Sequence, residues 1–188
     1  MKNLALSLCL AALAAPAAAT DLTGPMQAYF ESTLHPLAHD PIVLSAVRAQ
    51  NGVTEGLTQA DIDARDSDWA AQLGSSSTPL IDAVLNNDAA NHLREVVAAS
   101  GGRVTEIIVM DSHGLNVAIT TPTSDYWQGD EAKYQETYLN GAEALHMSDI
   151  ELDESTGRYQ AQISFTVSDE ASGEVLGAIT VGVDAELL

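Results

Sequence analysis

The sequence predicts an α+β domain in which helices come first and an antiparallel sheet follows. Up to Arg103 the apolar residues recur at helical spacing, whereas beyond it they mostly alternate with polar residues at the period of two that strands require. Helices followed by strands in this order are typical of an α+β domain rather than of alternating β-α units. The length predicts one domain over residues 20–188, preceded by a short export segment.

Residues 1–19 predict a secretory signal peptide. They contain one positive residue, Lys2, an apolar run over 4–15 and an Ala-x-Ala cleavage site at 17–19. The apolar run is shorter than the roughly 20 residues that span a bilayer. We therefore expect a protein exported to the periplasm that keeps no membrane anchor after cleavage and loses Cys9, and with it all thiol chemistry.

The charge of the chain excludes several partners. There are 27 Asp and Glu residues against 7 Lys and Arg residues, which gives a formal net charge of −20. Nucleic acid and anionic lipid are bound by clustered Lys and Arg, so neither is an expected partner. The excess of carboxylates favours solubility and by itself identifies no site.

The first helix is predicted to be long and kinked. Its apolar stripe of Met26, Tyr29, Phe30 and Leu34 is interrupted by Pro36. A new helical segment begins after it: Asp40 is the N-cap, Pro41 lies in the first turn, and the helix over 42–50 ends at Asn51 and Gly52. Such a helix is long enough to extend past a sheet, and it predicts a homodimer that pairs through it.

Three more helices are expected before the sheet. Residues 58–61 resemble a capping box at the start of a helix whose Trp69 we interpret as core rather than as a ligand contact. Thr78 is predicted to cap the next helix and Asn87 the last, which the Ser-Gly-Gly run at 100–102 ends.

The strand at 104–110 is predicted to be central, because its apolar residues occupy both parities and so both of its faces are covered. A turn at 111–114 leads to a returning strand at 115–120. The alternating segments 159–167 and 175–183 form a second hairpin. One face of this hairpin is small and polar, which leaves room for a ligand; its residues are Gln162, Ser164, Thr180 and Asp184.

The segment 124–138 differs from the rest of the chain, because it combines aromatic rings with acidic groups. Exposure of two large rings forgoes about 1.5–3 kcal/mol of burial each, so the core or a ligand covers them. We expect this segment to fold over the polar sheet face as a helical lid, with a helix over 130–145 that Asp130 caps. A ligand held between rings and carboxylates would be a cation.

These runs together resemble a known family. Val-Met-Asp at 109–111, Gly-Leu-Asn-Val at 114–117 and Thr-Ser-Asp-Tyr-Trp-Gln-Gly-Asp-Glu-Ala-Lys at 123–133 are similar to periplasmic sensor domains of the Cache superfamily, in the branch with a PAS-like fold. The likeness extends to the run at 153–156 and to the closing strand at 177–184. It implies a single Cache domain that senses a small molecule, and related sensors often hold an amine with a carboxylate and aromatic rings.

No motif for catalysis, for a cofactor or for a metal was found, so we expect neither an enzyme nor a cofactor. Three interpretations stay open: a ligand-binding module that acts through a membrane-bound signalling protein, an interaction domain whose pocket is filled by side chains, and a hydrolase built on the acidic cluster. For the first, the predicted ligand is an amine or amino acid. The predicted contacts are Tyr126, Trp127 and Asp130, then Asp184, with Asp125, Tyr134 and Lys133 also in the site.

Overall fold

The computed structural model describes residues 23–153 and 157–188. The predicted signal peptide at 1–19 and most of the run at 153–156 lie outside the described residues. The helices before the sheet are α1 (Thr23–Tyr29), α2 (Pro41–Thr54), α3 (Gln59–Gln72), α4 (Pro79–Leu85) and α5 (Asp88–Ala99). A π-helical turn, Phe30–Leu34, and a 3-10 turn, His35–His39, join α1 to α2.

The strands of the described chain form one antiparallel sheet, which confirms the predicted α+β class. They are β1 (Val104–Met110), β2 (Asn116–Ile119), β3 (Leu145–Met147), β4 (Glu151–Asp153), β5 (Arg158–Asp169) and β6 (Glu174–Asp184). Their order is β2-β1-β6-β5-β3, and β4 pairs with β5 beside β3. The predicted hairpin of the two last strands is confirmed, with Ser164 opposite Thr180.

The sheet has two different faces. The first buries Val109, Phe165 and Ile179 against the helices α2 and α5. On the second face the apolar part, Ile108 and Met110, packs against α3, α4 and the segment 124–138. Residues that alternate along β1 therefore enter different cores, which confirms the prediction that this strand is covered on both sides.

The N-terminal helices follow the predicted caps with two differences. Asp40 accepts hydrogen bonds from the backbone of α2, residues 58–61 form a capping box, and Asn87 accepts from the backbone of α5. Thr78 occupies the predicted N-cap position of α4 but makes no capping bond: its hydroxyl donates to Asp82, and the first turn of α4 donates instead to Gln72 Oε1. The helix α2 continues to Thr54, since that side chain is held by buried Asp111.

The predicted helix over 130–145 is wrong. Only α6 (Ala132–Gln135) and a 3-10 turn, Tyr138–Asn140, are helical. Asp130 is not the N-cap; Glu131 occupies that position and its side chain makes no capping bond. Gly141 leaves the helical region with a φ of 100°, and residues from Leu145 onward pair with β5 as β3, so strand pairing competes with the helix there.

Within the described residues no helix combines the length and the apolar character that crossing a membrane requires.

Candidate functional site

The segment 124–138 is anchored to the turn between β1 and β2. Leu115 forms an isolated bridge with Trp127, and the Gln128 N–H donates to the carbonyl of Gly114 at 2.8 Å. A Cβ built on Gly114 would lie 2.7 Å from the Cα of Gly129, so the two backbones meet where no side chain fits. The start of the segment is therefore packed firmly against the sheet edge.

The aromatic rings of this segment are used within the protein. Tyr126 is buried on Trp69, and its hydroxyl accepts a hydrogen bond from Gln50 Nε2 at 3.0 Å. The Trp127 indole N–H donates to the carbonyl of His113 at 2.8 Å, and the Tyr134 hydroxyl donates to the carbonyl of Ser112 at 2.7 Å. Burial raises the pKa values of the Tyr126 and Tyr134 phenols, which stay neutral at physiological pH.

The predicted acidic contacts differ in their exposure. Asp125 and Asp130 are exposed, and Asp125 accepts a hydrogen bond from Ser124. Asp184 is buried; it forms an ion pair with Arg158 and accepts from the Glu186 N–H at 2.9 Å. None of these three carboxylates is among the residues that line the cavity described below.

The second sheet face changes from apolar to polar along the strands. Thr180 and Ser164 lie in the same row across the sheet as Ile108, and their hydroxyls hydrogen-bond at 3.0 Å. The next row across the sheet is Glu106, Gly182 and Gln162. The polar face predicted for the second hairpin is therefore present, and its hydroxyls in the middle of the sheet bond to each other.

A cavity of about 410 Å³ opens over the polar end of this face. Its floor is the sheet, α6 and the residue before it form one wall, and the connection from β3 to β4 together with β4 forms another. The lining residues are Glu106, Glu131, Lys133, Ser148, Asp149, Glu151, Leu152, Gln160, Ala161, Gln162 and Gly182. Of the seven predicted contacts, Lys133 lines this cavity; the others stay predictions that the structure places outside its lining.

The cavity carries an excess of negative charge. Lys133 Nζ is 3.0 Å from Glu131 Oε2 and 3.0 Å from Gln128 Oε1, and its side chain is only 11% exposed. In the described chain, Glu106, Asp149 and Glu151 have no basic partner within ion-pair distance. These three residues were not predicted, because their strands and loop lie far apart in sequence. The one available signal was Glu106, which interrupts the apolar run of β1.

A larger space of about 880 Å³ lies between α2 and α5, on the other side of the sheet. Its lining is mostly small or apolar, as shown by Ile42, Ala46 and Val53, and its one charged lining residue is Asp88. Ligand sites combine apolar walls with a few convergent polar groups. The smaller cavity has such groups from five elements of the fold and is the better candidate. In residues 23–153 and 157–188, no three His, Cys, Asp or Glu side chains converge as metal ligands would.

No protein-family model and no curated protein matches this sequence. Several solved structures are similar in the course of the chain. They include the sensor domain of the Vibrio cholerae histidine kinase DctB (18% identity, TM-score 0.41, 86% of this chain and 52% of that one). They also include the ligand-binding domain of the Campylobacter jejuni chemoreceptor Tlp3 in complex with 4-methylisoleucine (14% identity, TM-score 0.41, 80% of this chain and 63% of that one). A third is the ligand-binding domain of the Pseudomonas aeruginosa amino acid chemoreceptor PctC in complex with GABA (15% identity, TM-score 0.40, 76% of this chain and 58% of that one).

This chain spans between half and two thirds of the length of those domains. Identities and TM-scores of this size say nothing of a ligand for this protein. The similarity to these sensor domains of histidine kinases and chemoreceptors is one in the course of the chain.

Proposed function

We propose that this protein is a periplasmic sensor module that binds a small amine or amino acid and acts through a separate membrane-bound signalling protein. The observation that supports it is the cavity between α6 and the polar end of the sheet, which has three carboxylates without a basic partner among the residues that the structure describes. The sensing role, the periplasmic location and the membrane-bound partner in this proposal come from the sequence resemblance to Cache sensors.

The charge of the cavity favours a cationic group on the ligand. Glu106 lies on the cavity floor, where a Cβ built on Gly182 would come within 2.8 Å of its Cγ. Glycine at 182 therefore leaves the space across which the Glu106 side chain extends. The half-buried Glu106 carboxylate accepts from the Thr121 hydroxyl and has no basic partner among the described residues. A bound ammonium group would stabilise it, since charge-assisted hydrogen bonds are about twice as strong as neutral ones.

A bound ligand would touch elements that are connected to the N-terminal helices. The cavity floor includes Gln160 and Gln162 on β5. The far end of the same strand is held by α2 and the turn before it, because Arg48 pairs with Asp169 at 2.6 Å and His39 contacts the carbonyl of Ser168 at 2.9 Å. A shift of β5 on binding would therefore be felt at the helices, which is where we propose that the signalling partner is engaged.

The test is a thermal-shift screen of the mature chain against amines and amino acids, followed by calorimetry. A ligand at 100 times its Kd adds about 2.7 kcal/mol to the free energy of unfolding. We expect Glu106→Gln to weaken binding at least about tenfold, and Glu95→Gln, an exposed residue on α5 with the same change of charge, to leave it unchanged. If no compound stabilises the chain, the proposal is wrong.

The same calorimetry separates the cavity from the site first predicted at the aromatic segment. Trp127→Ala and Asp130→Asn change two predicted contacts that do not line the cavity. A loss of binding in these two variants, with Glu106→Gln unaffected, would place the ligand at the aromatic segment. The stability of Trp127→Ala must also be measured, by thermal unfolding followed by circular dichroism, because the indole N–H donates a hydrogen bond to the carbonyl of His113 that the variant loses.

One observation favours a second function, that of an interaction domain without a ligand. The tips of Tyr126, Trp127 and Tyr134 all have protein partners, so the aromatic part of the sheet face is filled by side chains. On this alternative the acidic cavity is a solvated surface, and the screen finds no stabilising compound while the chain still binds its partner protein.

A further inference from the structure

We propose that Asn140 is a site of spontaneous covalent modification, at which the folded protein converts this asparagine into isoaspartate and aspartate through its bond to Gly141. The sequence contains two Asn-Gly dipeptides, Asn51-Gly52 and Asn140-Gly141. Glycine favours the reaction, because no side chain keeps its backbone nitrogen away from the preceding amide. The fold holds the two dipeptides in different surroundings, and this difference selects the second. The inference is independent of the proposed function.

The reaction needs water as its only co-reactant. The backbone nitrogen of Gly141 loses its proton to the solvent and attacks Cγ of Asn140, and the bond between Cγ and Nδ2 breaks as ammonia leaves. The intermediate is a cyclic succinimide. Water then opens this ring at either of its two carbonyl carbons, which gives isoaspartate or aspartate. Both products carry a carboxyl group that is ionised at neutral pH, so the chain gains one negative charge.

The reacting groups at Asn140 are accessible. Asn140 is exposed and ends a 3-10 turn, and in the part of the chain that the structure describes its side chain makes one hydrogen bond, from Nδ2 to the carbonyl of Gln135 at 3.0 Å. The Gly141 N–H has no acceptor among the same residues. A Cβ built on Gly141 would meet nothing within 4 Å, so the space around the reacting nitrogen is open. Attack therefore requires the loss of one exposed hydrogen bond and rotation at the end of a turn.

The dipeptide Asn51-Gly52 lacks this freedom. Both residues lie inside α2, where the N–H of Gly52 donates to the carbonyl four residues before it. The Asn51 amide is held at both ends, because Nδ2 donates to the carbonyl of Leu176 at 2.8 Å and Oδ1 accepts from the Ser112 N–H at 2.9 Å. Attack on its Cγ requires the helix to open and both side-chain bonds to break. Such opening costs more free energy in a packed helix than at an exposed turn.

The modification would change the connection between α6, which forms one wall of the cavity, and β3. Isoaspartate carries the main chain through its side-chain carbon, so it lengthens the backbone by one carbon atom. Next to this position the Gly141 carbonyl is fixed by the Thr166 hydroxyl at 2.7 Å. The new carboxylate also replaces the Nδ2 donor that bonds to the Gln135 carbonyl, and two acceptors then face each other. We therefore expect the isoaspartyl chain to be less stable than the parent.

Peptide mapping by mass spectrometry tests the site on the mature chain, incubated at mildly alkaline pH either folded or unfolded in urea. In urea we expect both asparagines to react at similar rates, because each precedes glycine and then a small apolar residue. In the folded chain Asn51 should react at least about tenfold more slowly than Asn140, a ratio that corresponds to about 1.4 kcal/mol of additional opening free energy. Asn140→Gln, whose longer side chain closes a less favourable ring, should lose the fast reaction.

Two results would overturn the assignment. Equal rates at the two asparagines of the folded chain would show that α2 gives no protection, and an Asn140 that reacts in urea but stays intact in the folded chain would show that its turn is protected as well. The effect on the connection is tested by thermal unfolding of the isoaspartyl form, separated by ion exchange. Its midpoint should lie below that of Asn140→Asp, which adds the charge without the additional carbon atom; an equal midpoint contradicts this effect.

Discussion

Trp69 and Tyr126 stack with ring centroids 5.4 Å apart and planes inclined by 17°. This contact joins α3 to the segment 124–138, and two hydrogen bonds reinforce it. The backbone N–H groups of Tyr126 and Trp127 donate to Asp66 Oδ1 at 2.8 and 3.0 Å. The position of the segment over the sheet thus depends on α3 as much as on the sheet itself.

We expect Asp66→Ala to destabilise the protein by about 1–3 kcal/mol, because two backbone donors lose their acceptor. Asp66→Asn should recover most of this loss, since its amide oxygen can accept the same two bonds. Asp63→Ala on the same helix is the control, because Asp63 is exposed and its carboxylate accepts from the exposed Gln59 side chain. Urea unfolding of the four proteins measures the difference, and an Asp66→Ala variant as stable as the control would contradict this role.

A second prediction concerns the contact between the two glycines of the site. Gly114→Ala adds a Cβ 2.7 Å from the Cα of Gly129, at a φ of 82° that L-residues rarely adopt. Gly173→Ala is a matched control, because its φ of 71° imposes the same strain and its Cβ meets nothing within 4 Å. We expect a cost of about 1 kcal/mol for the control and about 2–4 kcal/mol for Gly114→Ala, from strain and overpacking together.

If thermal unfolding gives the same loss for both glycine variants, the close approach of Gly114 to Gly129 does not constrain the aromatic segment. A larger loss for Gly114→Ala, without a matching change in ligand affinity, would show that this contact supports the fold rather than the cavity.

The local features of this chain were predictable from sequence, whereas those that depend on distant residues were not. Asp40 and Asn87 act on backbone groups two or three residues away, so their caps could be identified from spacing alone. Gln72 caps α4 from the preceding helix, and no local pattern shows this. The helix predicted over 130–145 could not include Leu145, because from that residue onward β3 pairs with β5, and no local pattern shows this pairing.

The candidate site divides in the same way. The run of rings and acids at 124–131 could be recognised because it is continuous, and the prediction that it covers the sheet depended on the polar face of β5 and β6. The cavity carboxylates Glu106 and Glu151 belong to strands that only the sheet register brings to opposite walls of one space. Lys133 was predicted within the site from sequence, but its pairing with Glu131 and Gln128 is visible only in the structure.

A third prediction tests the central position of β1. Ile108 is 2% exposed and lies between β2 and β6, so Ile108→Asp buries a charge without a partner. We expect a loss of several kcal/mol and little folded protein. Val53→Asp introduces the same charge at a side chain that is 70% exposed and should be tolerated within about 0.5 kcal/mol. Soluble yield and thermal unfolding compare the two, and equal stability would mean that β1 is not an interior strand.

The last prediction concerns Asp111, which organises the turn after β1. Its carboxylate is fully buried and accepts hydrogen bonds from the His113 and Leu115 N–H groups and from the Thr54 hydroxyl. Burial raises the pKa of this carboxyl above its usual value of 3.8, and the three hydrogen bonds offset only part of that effect. The folded state therefore holds the proton more tightly than the unfolded state does.

The sign of the pH dependence follows from this raised pKa. The stabilising contribution of Asp111 is fully present below pH 3.8, where both states are protonated, and it is lost as the pH rises through the higher pKa of the folded state. Asp111→Asn keeps an acceptor for the two N–H groups and cannot ionise. Its free energy of unfolding should therefore increase relative to that of the parent as the pH rises from below 3.8 toward 7. Asp111→Ala, which leaves the donors without an acceptor, should cost about 2–4 kcal/mol near neutral pH. Urea unfolding at a series of pH values measures all three proteins, and a constant difference between Asp111→Asn and the parent across this range would show that Asp111 titrates alike in both states.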